Sequence, residues 1–254
     1  MGDEERLFNR ARRCSNPTEL VVSPVELHQR NVQRRLREAK QPKDAFIFED
    51  PVGLCKQVLE EAGRPTTTID RIDRLTLLRS VLESSDPGEP MQIQLPSDAA
   101  SRDPQHVEQI RTEVETATNF HPERISAWSE TADALYSPID REAEEFLEAA
   151  LAVERRLRDR TSKAISETEL IRRATRSIVT TDGAAWKETY PQIERLTLLG
   201  LSSFSAPHTD LVHGLLETTA IEIHVHFRSG TGEYLTSRVR DLLSVADPGL
   251  EVFE

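Results

Sequence analysis

Two short apolar runs, each leading directly into a helix start, constrain this chain more than anything else in it. Glu19-Leu-Val-Val-Ser23 is closed by Pro24; so brief an aliphatic run suits a buried strand and is too short for a helix. The helix that follows is expected from Pro24 to Lys40, with Val25, Val32, Leu36 and Ala39 on one side and a basic face of Arg30, Arg34, Arg35 and Arg37. Ala45-Phe-Ile-Phe48 is the next strand. Asp50 reads as an N-cap with Pro51 at the first helical position, and Gly63, with Pro65 just beyond, as the residue that ends the helix. Parallel strands need crossover connections, usually helical, so strand, basic helix, strand, helix predicts a parallel sheet.

From Thr68 the pattern changes. Ile69, Ile72, Leu75, Leu78 and Leu82 step at helical spacing, and the turns between Ser84 and Pro96 close that helix. Further helical patterns run over about 103 to 118, 122 to 135, 139 to 160 and 166 to 178, each opened by a proline or a Ser/Asp-type cap. The alternation returns with the strand Ile193–Gly200, a helix from about Pro207 to Glu217, the period-two strand Ala220–Phe227 and a last helix from Glu233 to Val245. Residues 1–64 are therefore expected to begin an α/β domain, 65–188 to form an all-helical inserted subdomain, and 189–254 to return to the α/β frame.

The chain has 254 residues, a net charge of -12, 37% hydrophobic and 30% charged residues, which describes a globular protein that leans polar. Lysine occurs only at positions 40, 43, 56, 163 and 187; acid excess with scarce lysine resembles the bias of salt-loving archaea. In molar salt, charges are screened within roughly 3 Å, so this acidity does not exclude a nucleic-acid partner. Cys14 and Cys55 have no CxxC companion, which indicates neither a disulfide framework nor a thiolate metal site. The charged start MGDEERLFNRARR lacks an apolar h-region, and no segment approaches the ~18 apolar residues of a membrane span. A cytoplasmic protein with no membrane partner is expected.

Four stretches, in order, resemble the amino-terminal region of AddB-type subunits of helicase/nuclease complexes: LVVSPVELHQRNVQRRL, FIFEDPVGLCKQVLEEAG, IDRLTLLRSVLES and IERLTLLGLSSFSAPHTDLVHGLLETTAIEIHVHF. The resemblance implies a RecA-like (P-loop NTPase-like) parallel sheet with a large helical insertion, working in DNA repair and recombination. The departures matter as much. An active motor needs GxxxxGK[ST], whose backbone N–H groups and lysine hold phosphate, whereas Arg10-Ala-Arg-Arg-Cys-Ser-Asn-Pro17 precedes the first strand. Where the motor's magnesium-binding strand ends in Asp-Glu, this chain has Gly200-Leu-Ser-Ser203. A second RecA-like domain and a nuclease domain with iron-sulfur cysteines are not in this sequence, so it resembles an amino-terminal part or a short relative. The expected role is thus a non-catalytic helicase-like domain that binds single-stranded or unwinding DNA, or scaffolds a helicase or nuclease subunit or missing carboxy-terminal domains. The competing reading is a protein-interaction module using the helical region, with no nucleic-acid role.

Candidate nucleic-acid contacts are Arg30, Arg34, Arg35 and Arg37, behind Arg10, Arg12 and Arg13, because guanidinium forks suit phosphate oxygens. Phe48 and Phe204, at strand ends, are candidates for stacking on bases. The simpler account is a solvated helix face for the arginines and core packing for the two phenylalanines, which sit in otherwise apolar surroundings. His208, His213, His224 and His226 form the most metal-like set, but strand parity sets His224 and His226 opposite Ile221, Ile223, Val225 and Phe227, as on any half-covered sheet. Ser202 and Ser203 lack a nucleophile-elbow frame, and Glu144 and Glu148 belong to a run with Arg155, Arg156 and Arg158 that reads as a salt-bridged helix surface. No catalytic residue, metal or cofactor is expected.

Overall fold

The computed structural model describes residues 4–12, 16–83, 103–201, 203–228, 230, 232–236 and 243–254. The turns between Ser84 and Pro96, Cys14, Arg13, Ser202 and part of the last expected helix lie outside the described residues. In chain order the elements are α1 (Glu4–Ala11), β1 (Glu19–Val22), α2 (Glu26–Glu38), β2 (Ile47–Glu49), α3 (Pro51–Glu61), α4 (Arg71–Glu83), α5 (Pro104–Thr118), α6 (Pro122–Asp133), α7 (Ile139–Arg160), α8 (Glu167–Thr180), α9 (Ala184–Thr189), β3 (Arg195–Leu201), α10 (Ala206–Thr218) and β4 (Glu222–Phe227). The protein is α/β, with four parallel strands in the order β2-β1-β3-β4.

Local chemistry places most element ends where the sequence does. The Asp50 side chain accepts from the backbone N–H groups of Val52 and Gly53, Pro51 opens α3, and Gly63 follows its end at φ 65°. Ser166 caps α8 through the Glu169 N–H, and Asp70 caps α4 through those of Ile72 and Asp73. β2 starts two residues later than its apolar run, because Lys43–Ala45 close a 3-10 turn.

Strand parity divides the core. Leu20, Val22, Leu196 and Leu198 face one side, where α3, α8, α9 and α10 supply Leu54, Val58, Ile171, Ile178, Trp186 and Leu211. Val21 and Leu199 face the other side, against Leu7 and Ala11 of α1, Val32 and Leu36 of α2, and Phe46. All four β1 residues are buried, as expected of a strand covered on both faces.

Helices α4, α5 and α7 share an apolar cluster of Leu78, Val81, Val107, Val153 and Leu157. A second cluster joins Val114, Phe120, Leu147 and Ala150. Helix α8 begins beside the entry to α4, where Thr68 and Ala164 form a parallel bridge, and then packs on the sheet side with α3 and α10.

Candidate nucleic-acid interface

At 100° per residue, Arg30, Arg34 and Arg37 fall within one strip of α2, opposite buried Val32 and Leu36, while Arg35 lies to its flank. All four arginines are exposed. Arg30 donates to Glu26 at 2.5 Å, Arg34 lies 3.8 Å from Glu38, and the Arg37 Nε donates to the Gln33 carbonyl at 3.4 Å. Solvent-exposed pairs of this kind contribute about 0–1 kcal/mol, so these guanidiniums can exchange a carboxylate for a phosphate oxygen at small cost. Ahead of them, Arg10 reaches towards Glu19 and Glu194 at 3.8 and 3.9 Å.

The two candidate stacking residues are not brought together. Phe48 is half-buried on the α1/α2 side, with its ring centroid 6.1 Å from that of Phe46 at an interplanar angle of 78°. Phe204 is half-buried against the core on the opposite side. The histidines divide likewise. His208 and His213 belong to α10, whose apolar residues join the first core, whereas parity turns His224 and His226 to the other face. His208 accepts or donates a 2.6 Å bond with Ser205, and burial lowers its pKa. His213 pairs with Glu217 at 3.2 Å and His224 with Glu222 at 3.0 Å. Among the described residues no group of three or more His, Cys, Asp or Glu is placed to hold a metal.

The carboxyl edge of the sheet is where doubly wound folds bind ligands, at the point where strand order reverses. Here that point lies between β1 and β3. The β1–α2 turn is closed on itself: the Ser23 hydroxyl accepts from the Val25 N–H at 3.3 Å and donates to the Val25 carbonyl at 3.2 Å, and Gln29 donates to the carbonyls of Ser23 and Glu49. Within this turn the Ser23 hydroxyl thus occupies the Val25 N–H.

Opposite it, Gly200 sits at φ 74° beside a register shift between Leu199 and Leu201, and a Cβ there would lie 2.3 Å from the His28 Nδ1. The glycine lets the imidazole lie against β3, and the His28 Nε2 meets Arg228 at 3.2 Å from the end of β4. Sequence reasoning missed this meeting of α2, β3 and the end of β4. Its one signal was a glycine inside a strand, which marks bulges and close approaches.

The largest departure from the sequence reading is internal. Arg158, read as part of a helix surface, belongs to a buried ionic cluster. Five guanidiniums, of Arg74, Arg111, Arg158, Arg172 and Arg173, meet five carboxylates, of Glu108, Glu115, Glu154, Glu169 and Glu251. Arg111 and Arg172 are each 1% exposed. Burial pushes the Glu115 carboxyl up, but Arg111 and Arg172 outweigh it and hold the group below its ordinary value; the Glu251 carboxyl is lowered by Arg172 and Arg158 against the same penalty. At Glu154 burial prevails and the pKa is raised. Nearby, Asp210 on α10 accepts from Asn119 at 2.6 Å and from both terminal nitrogens of Arg124 at 3.0 and 2.5 Å. These charges join α4, α5, α6 and α7 to α8 and α10, the helices packed on the sheet.

No helix among the described residues is long and apolar enough to cross a membrane. The family model described as Halobacterial UvrD-like protein matches residues 1–254, the whole chain. No curated protein matches it.

Proposed function

The chain belongs to the halobacterial UvrD-like family, whose name points to a helicase-related role in DNA repair, and from that premise we propose a non-catalytic helicase-like domain that contacts single-stranded DNA through α2 or scaffolds a motor or nuclease partner. The observation that carries the reading is the pairing of an exposed arginine strip on α2 with a β1–α2 turn that Ser23 has sealed. A positively charged strip supplies sequence-independent affinity for a phosphate backbone. A closed turn removes the phosphate cradle that ATP-driven translocation needs.

The finer reading is an AddB-type, inactivated domain with a RecA-like frame and a helical insertion over 65–188. Its AddB-type part rests on the four stretches of sequence resemblance, its helicase-related part is supported by the family relation, and its helical insertion by the separate apolar clusters of α4 to α7. In this reading the domain works within a cytoplasmic, haloarchaeal helicase/nuclease system. Phe48 and Phe204 enter this reading as base-stacking candidates only if DNA binding draws them out of the core.

The test is anisotropy of a labelled single-stranded oligonucleotide over a KCl series, with circular dichroism confirming the fold at each salt. Affinity should fall with salt, and Arg30→Gln/Arg34→Gln/Arg37→Gln should flatten the log–log slope by about 2, since each phosphate contact contributes roughly 0.7. A folded sample that binds no DNA at low salt, or a triple variant that binds as well as the parent, rejects the DNA contact. That result would favour the interaction-module reading. Its supporting observation is the turn between α6 and α7, where Leu135, Tyr136 and Ile139 are 42%, 90% and 58% exposed.

A further inference from the structure

The segment from Gly249 to Glu254 makes contacts of a kind usually seen between a receptor and a bound peptide. The Glu251 carboxylate takes a forked pair of bonds from Arg158, both at 2.7 Å, and lies 2.6 Å from the Arg172 Nε. The Val252 N–H donates to the Phe120 carbonyl at 3.0 Å. The Phe253 ring meets Phe120 edge-on, with centroids 5.3 Å apart, and lies beneath Arg158 at 4.6 Å. Glu254 pairs with Arg176 at 3.1 Å. Acid, backbone, aromatic and acid are thus read in four successive residues, a dense pattern for one short segment.

The groups that read the segment are held by other partners as well. Arg158 Nε donates to Glu154 at 2.8 Å, and an Arg172 terminal nitrogen donates to Asn119 at 3.1 Å and to Glu115 at 3.3 Å. The receptor is therefore pre-organised, which lowers the cost of binding. Charge specifies what it takes. Without Glu251, the cluster of five guanidiniums and five carboxylates keeps one unmatched positive charge, in a chain whose net charge is -12.

We infer that the turn between α5 and α6, together with α7 and α8, forms a receptor for an acidic–aromatic peptide of the form Glu-x-Phe-Glu, occupied in cis by Glu251–Glu254. A partner protein carrying a segment of that chemistry displaces the chain's own. This inference does not depend on the DNA-binding reading.

The test uses the full chain carrying Glu251→Gln/Phe253→Ala, which weakens the cis contact, and a labelled peptide spanning residues 246–254. The peptide should bind this variant at least about ten-fold more tightly than the parent, whose own segment competes at an effective concentration in the millimolar range. A peptide with the same two substitutions should not bind. Arg176→Glu, added to the weakened chain, should reduce binding of the natural peptide and restore binding of one carrying Glu254→Arg. A folded variant that ignores the peptide overturns the inference. So does a variant that fails to fold, because the segment would then be a permanent part of the core.

Discussion

Replacing Arg111 by methionine isolates the physics of the buried ionic cluster. Its Nε donates to Glu108 at 2.9 Å, one terminal nitrogen to Glu115 at 3.1 Å and Glu154 at 2.9 Å, and the other to Glu108 at 3.3 Å. Glu115 and Glu154 are 1% and 0% exposed, so neither carboxylate can turn to water when the guanidinium goes. Breaking a buried pair from one side costs about 3–5 kcal/mol. Against a typical domain stability of about 5–15 kcal/mol, that is a large fraction.

The loss should depend on pH in a definite direction. Glu154 already has a raised pKa from burial, and losing Arg111 removes a charge that opposes the rise. Ionised Glu154 is therefore disfavoured in the native variant relative to the unfolded chain, so the variant's stability increases as pH falls from neutral towards the ordinary carboxylate range. The parent has Arg111 to stabilise the ionised forms, and the gap between the two should narrow on mild acidification. Urea unfolding followed by fluorescence of Trp128 and Trp186, in molar KCl at neutral and mildly acidic pH, measures it. Adding Glu154→Gln to Arg111→Met should recover part of the loss, because one orphaned charge is removed. A loss below about 1 kcal/mol at neutral pH, or a gap indifferent to pH, would refute the assignment of this cluster as tightly coupled and dry.

Gly200→Ala should destabilise the fold by about 1–3 kcal/mol, since it combines a left-handed backbone with a Cβ in the space of the His28 ring; His28→Ala in the same chain should relieve part of this, as read by a double-mutant cycle of melting temperatures. Asp50→Ala should cost about 1 kcal/mol in urea unfolding, through loss of the cap on α3. In the parent chain, Glu115 and Glu251 have lowered pKa values, so their stabilising contribution is complete above the ordinary carboxylate range and is lost as pH falls through their folded values. The melting temperature should accordingly drop on acidification below about pH 4, and Arg172→Met, which removes a partner of both, should be less stable but show a shallower drop.

The local signals in the sequence were strong enough to fix much of the secondary structure. Asp50-Pro51 and Gly63 bracket α3 because a carboxylate cap, a proline at the first turn and a left-handed glycine each act within a few residues. The apolar runs at Glu19–Val22 and Ile193–Gly200 mark parallel strands because a strand covered on both faces cannot carry exposed polar side chains. The arginine strip of α2 follows from helical spacing alone. None of these local rules says which strand lies beside which, so the order β2-β1-β3-β4, and with it the meeting of His28, Gly200 and Arg228 at the carboxyl edge, was decided only by the packed sheet. The same holds for Arg111, Arg158 and Arg172. In sequence they sit among glutamates at helical spacing and look like any solvated surface, and burial turns them into the joint between two sets of helices. Periodicity reports which residues share a face of one element; what covers that face depends on contacts between residues far apart in the chain, such as Arg158 with Glu251, and only the tertiary structure brings those together.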